Sequence, residues 1–296
     1  MFAMVLVLYG IVHFFVLDKV NSPEKLFLQL LLIAVLLFSI FVADFIIKRN
    51  KITAPNSFTI LFYALFIAIF PETLTDAKAI LCSLFLLLAT RRLISLRSLK
   101  ETKLKVFDAT LWVFIASLFY KWAVLYLLMV FVVIYIYEPK SLRNWLVPFV
   151  GLFTFFMITY CILVLAQNTD FIWNHYRFEL QLNAEYFTTW SNSIKLVTYI
   201  GITLVASIFA FLKLGKSGLG QIVTMRIIGF SFIIGLLVKV LSVSPDSHPI
   251  LLTFFPASIF MTNYVESIKK ANYKEIVLVI SVVVSFSVFI TNLTLN

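Results

Sequence analysis

Two apolar stretches, residues 26–47 and 145–167, constrain this chain more than any other feature of it. As helices they rise about 33 Å, enough to cross the roughly 30 Å hydrocarbon core of a bilayer. Backbone N–H and C=O groups in lipid find no water, so they must be satisfied within a helix or a closed barrel. A barrel strand needs about 10 residues of alternating polarity; these stretches do not alternate, and helices follow. Similar runs recur along the whole chain. Of its 296 residues 62% are hydrophobic, 17% aromatic and only 13% charged, more apolar surface than one soluble core of this size can bury.

Apolar runs read against charge predict helices near 1–17, 26–47, 54–70, 77–90, 106–120, 122–137, 145–167, 194–212, 221–241, 250–265 and 275–295. The expected fold is all-α: a polytopic transmembrane bundle of about eleven helices, formed by residues 1–296 as a single membrane domain. Runs 57–70 and 77–90 are short, about 21 Å each as helices. They form either two crossings or a re-entrant hairpin around 71–76, which leaves nine crossings. The first segment has no basic n-region and no small-residue cleavage site, so it reads as a retained helix or a truncated start.

Basic residues in short loops stay on the cytoplasmic side. Alternate loops near 48–51, 91–105, 140–143, 213–226 and 269–274 hold seventeen of the 24 Lys and Arg residues. The other loops mix seven basic residues with eight acids. The N-terminus is therefore expected in the cytoplasm and the C-terminus outside. This bias accounts for the +10 net charge without a nucleic-acid partner. The partner implied is the lipid bilayer itself, together with a lipid-linked substrate or another membrane protein.

Most chemical motifs dissolve on inspection. Residues 210–217, AFLKLGKS, imitate a phosphate loop, yet an apolar helix precedes them where that loop needs a strand. The glycines at 215, 218 and 220 read instead as the end of one helix and the turn into the next. His13, His175 and His248 share no ligand spacing, so neither a metal nor any other cofactor is expected. Cys82 and Cys161 sit in apolar runs and read as packed thiols rather than a disulfide. Asp44 lies four residues before Lys48 and reads as its helical ion-pair partner. Asp108 reads as a carboxylate opening a helix.

The longest polar stretch, 168–193, contains Trp173, His175, Tyr176, Arg177, Glu179, Glu185, Tyr186 and Trp190. It reads either as an interfacial helix in the longest external loop or as a lid over an outward-facing cavity. If an active site exists, it is expected outside, with Asp18, Glu72 and Glu179 as catalytic carboxylates. His175, Arg177, Trp173 and Trp190 would bind substrate, Arg177 holding a lipid phosphate through its planar fork.

Residues 91–125, RRLISLRSLKETKLKVFDATLWVFIASLFYKWAVL, followed by RNWLVPF at 143–149, resemble an uncharacterised integral-membrane family of Bacteroidota, chiefly flavobacteria. The resemblance implies a multi-pass protein of a bacterial cytoplasmic (inner) membrane and brings no activity that transfers to particular residues. Members of that family begin with a short basic and polar segment, which the resemblance implies upstream of Met1. Labels implying carotenoid cleavage attach to some members; three histidines do not supply the four that chemistry uses. A weaker likeness is to polyprenyl-phosphate-dependent membrane glycosyltransferases, in which a carboxylate just outside the first helix activates the acceptor. Asp18 occupies that position, although the loop 18–25 is far shorter than theirs.

Two functions follow as expectations. The first is a non-enzymatic scaffold, or a carrier of a hydrophobic or lipid-linked molecule in the cell envelope. The alternative is a glycosyltransferase-like enzyme that uses a polyprenyl-phosphate-linked sugar at the external face.

Overall fold

The computed structural model describes residues 2–13, 23–178, 190–213, 218–242 and 247–295. Among these the chain forms twelve α-helices, joined by short 3₁₀ turns, and no strand. In order they are α1 (Phe2–Ile11), α2 (Pro23–Asn50), α3 (Phe58–Ile69), α4 (Ala77–Ser95), α5 (Thr102–Ser117) and α6 (Leu127–Tyr137). There follow α7 (Leu142–Leu165), α8 (Asp170–His175), α9 (Trp190–Lys213), α10 (Leu219–Leu241), α11 (Phe254–Ser267) and α12 (Ala271–Leu295).

Six helices, α2, α4, α7, α9, α10 and α12, are long and apolar enough to cross a membrane. Two of the short ones, α3 and α11, lie inside them. Helices α3 and α11 rise only about 18 and 21 Å, yet nearly every side chain of α11 from Phe254 to Asn263 is buried, as are eight of the twelve in α3. A helix apolar on all sides belongs in an interior, and one that touches protein rather than lipid does not have to match the bilayer thickness. Aromatic rings fill this centre: Tyr199 of α9 stands edge-on to Phe66 and Phe70 at 5.1 and 5.3 Å. Its buried hydroxyl bonds Thr253 Oγ1 at 2.8 Å.

The long helices differ in what they cover. Helix α4 is the most buried of the six, whereas α7 and α12 leave most of their surface apolar and open, the composition expected toward lipid tails. Helix α7 packs on α5 and α6, and Gly151 permits the approach: a methyl group there would stand 2.8 Å from Thr110 Cγ2. Small residues at such crossings are the membrane counterpart of an interdigitated core.

Several sequence expectations change in detail. The third helix starts at Phe58 rather than 54, because Glu266 draws the preceding chain into a turn. It accepts from the Ala54 N–H at 2.9 Å and from Asn56 Nδ2 at 2.8 Å. The run at 122–137 begins as a 3₁₀ turn, Lys121–Tyr126, before α6. Asp108 does not open its helix: α5 begins at Thr102, and Asp108 sits within it, paired with Arg92 at 2.9 Å. Asp44 pairs with Lys48 at 2.7 Å, as the spacing implies. Cys82 is packed, but Cys161 is exposed on α7.

Candidate functional site

Polar groups collect at one end of the bundle around Asp76. This residue precedes α4 and caps it, its Oδ1 accepting the Ala79 N–H at 3.0 Å. A carboxylate at this position satisfies an otherwise orphaned amide and faces the positive end of the helix dipole. The other oxygen accepts the Tyr120 hydroxyl and, at 2.7 Å, the His248 N–H. Three donors from separate parts of the chain thus converge on one buried carboxylate.

Glu72 lies one turn earlier, in the 3₁₀ turn Pro71–Leu74. It faces Lys195 Nζ of α9 at 3.6 Å. The same ammonium donates to Asn292 Oδ1 of α12 at 3.1 Å, and Asn292 Nδ2 donates to the Ile69 carbonyl at 3.4 Å. Lys239 is buried near the end of α10, the helix whose following segment brings the His248 N–H to Asp76.

The other predicted site residues lie beside this cluster, over the turn after α5. His175 Nε2 donates to the Ser117 carbonyl at 2.8 Å, and the ring stacks on Phe171 at 5.1 Å. The Tyr176 hydroxyl meets Ser117 Oγ at 2.7 Å, and burial raises its pKa above the ordinary tyrosine value. Lys121 Nζ donates to the Arg177 carbonyl at 2.6 Å. Adjacent residues of one turn therefore tie the two groups together, Tyr120 reaching Asp76 and Lys121 reaching Arg177. Trp173 points outward, 80% exposed. Asp18, Glu179, Glu185 and the Trp190 side chain lie outside the described residues.

Asp76, Tyr120, Lys195 and Lys239 were not singled out as site candidates by sequence. Lys239 had a signal, because an ionisable residue inside an apolar run is a functional candidate on energetic grounds. Asp76 had a weaker one, an Asp just before an apolar run, which marks a helix cap. Its partners are 44 and 172 positions away, and nothing in the local sequence points to them.

Among the described residues no three His, Cys, Asp or Glu side chains gather as metal ligands. No curated protein and no solved structure matches the chain. Residues 1–295 match the model of a family of unknown function, DUF6427, and the chain belongs to that family.

Proposed function

We propose that this protein works in a bacterial cytoplasmic membrane without catalysis, as a scaffold for another membrane protein or a carrier of a hydrophobic or lipid-linked molecule. One observation carries the reading: among the described residues, Asp76, Glu72 and His175 are engaged in structural bonds. Asp76 caps α4 and holds Tyr120 and His248, Glu72 pairs with Lys195, and His175 bonds a backbone carbonyl. A general acid or base must instead reach a substrate proton.

The topology proposed with it is a single membrane domain of eleven crossings, with the N-terminus cytoplasmic and both the C-terminus and residues 168–193 external. Three helix intervals support it. Gln221–Lys239, Lys195–Lys213 and Lys274–Asn292 each rise about 27 Å, near the hydrocarbon thickness. Each joins the Asp76 end to the end where Gln221, Lys213 and Lys274 lie. The 58–95 hairpin reads as two crossings, because Phe58 lies by Lys274 and Ile69 by Asn292, while α4 runs from Asp76 to the cavity end at Arg91.

The test is complementation of a strain lacking the gene. With normal protein levels in the membrane, Asp18→Asn, Glu72→Gln, His175→Ala, Arg177→Ala and Glu179→Gln should each restore full function. A glycosyltransferase-like enzyme is the second reading, favoured by a buried ammonium, Lys239, near the end of α10 from which His248 reaches Asp76. In that case Glu72→Gln and Lys239→Met abolish sugar transfer from a polyprenyl-phosphate donor by about 100-fold or more while the protein persists, and the carrier reading fails.

A further inference from the structure

A cavity of about 750 Å³ opens at the opposite end of the molecule, between the C-terminal ends of α2 and α4 and the start of α10. Arg49, Lys51, Arg91, Arg92, Arg97 and Lys105 line it above an apolar floor that includes Phe45. No acidic residue is among its described lining. A positive-inside bias requires basic residues in the loops on one side; it does not require six of them to converge on one space.

The cations are held in place from several directions. The Arg49 and Arg91 guanidinium carbons lie 5.5 and 5.0 Å from the centroid of the same ring, that of Phe45. Such cation–π contacts orient a guanidinium while leaving its N–H donors available. Lys105 Nζ is fixed by the Ser95 carbonyl at 3.0 Å and Ser98 Oγ at 2.6 Å. Arg92 is positioned by Asp108 at 2.9 Å. Arg97 packs against α10 at Gly220, where a methyl group would stand 2.3 Å from its guanidinium carbon. Residue 220 must be glycine for that arginine to lie there. The amide end of the 23-residue α10 opens on the same space, and Gly218 supplies no side-chain cap to it.

Planar guanidiniums, an ammonium and a helix amide end around one cavity match the charge and geometry of phosphate oxygens. We infer that this cavity binds a phosphate-bearing anion, supplied either by the headgroup of an anionic lipid or by a free phosphate or diphosphate. The inference does not rest on the carrier reading, whose test concerns residues at the other end of the bundle, so the two can fail separately.

The experiment uses the full-length protein in lipid nanodiscs, with binding read as a probe-dependent rise in melting temperature. One arm titrates inorganic diphosphate in phosphatidylcholine discs, and the other replaces part of that lipid with phosphatidic acid. A rise in the first arm assigns a free phosphate, and a rise confined to the second assigns a headgroup; either supports the site. The double variant Arg49→Gln/Arg91→Gln should weaken the response at least tenfold. Gly220→Ala, which removes no charge and displaces only the end of a flexible side chain, should weaken it in the same direction. The surface pair Lys140→Gln/Lys269→Gln should leave it unchanged. No rise with either probe overturns the inference, as does an equal loss in the surface pair, which would mean unspecific attraction of basic loops for anions.

Discussion

Asp76 shows how a buried charge can hold distant pieces of chain together, because one carboxylate serves α4, the turn after α5 and the segment after α10. Replacing it with Ala removes a helix cap and leaves the Tyr120 hydroxyl and the His248 N–H without their acceptor. Loss of the cap costs about 1 kcal/mol and each orphaned donor about 1–3 kcal/mol. Asp76→Ala should therefore melt well below wild type in detergent, and Asp76→Asn, which keeps an acceptor, should fall between them. Equal melting of all three would remove Asp76 from the architecture. Local spacing made Asp44 legible in the sequence, since its partner Lys48 is one helical turn away. Asp108 was misread because the start of α5 lies in the basic run at 102–105, which hydropathy alone excludes from a helix. The role of Asp76 emerges only when Tyr120 and the segment after α10 reach the start of α4.

At the level of elements, the all-α class and the positions of the long apolar helices were legible because lipid permits few alternatives to a hydrogen-bonded helix. Which of them are enclosed was not, since α3 and α12 are similarly apolar in sequence but face protein and open surface respectively. Helix contacts turn on small residues that hydropathy does not register. Thr110 Oγ1 bonds the Val106 carbonyl at 2.8 Å, which fixes its rotamer and keeps its methyl against Gly151. Gly151→Ala should therefore loosen the α5–α7 crossing and destabilise by about 1–3 kcal/mol. Gly201 of α9 is the counter-case, with nothing within 4 Å of an added methyl. Gly201→Ala should be neutral or stabilise by up to about 1 kcal/mol, the ordinary helix-propensity gain. Resistance to unfolding by a denaturing detergent measures both, and the same sign for the two variants would refute this account of α7.

For the molecule as a whole, the charge pattern and the fold agree on which loops share an end. Arg49, Arg91, Arg97 and Lys105 come from loops that sequence assigned to one side, and they line one cavity. Glu72 and Lys195 come from the other set and meet at the far end. Loop charges are local and so were readable, whereas the cavity and the Asp76 cluster depend on how helices pack. The central claim, a multi-pass membrane protein with its basic end in the cytoplasm, is tested most directly by labelling intact cells with a membrane-impermeant thiol reagent. The background carries Cys161→Ser, because that thiol is exposed on α7 while Cys82 is buried. The expected result is labelling of Ser191→Cys in intact cells and of Ser98→Cys only after the membrane is opened. Labelling of Ser98→Cys in intact cells, with Ser191→Cys protected, would contradict the orientation.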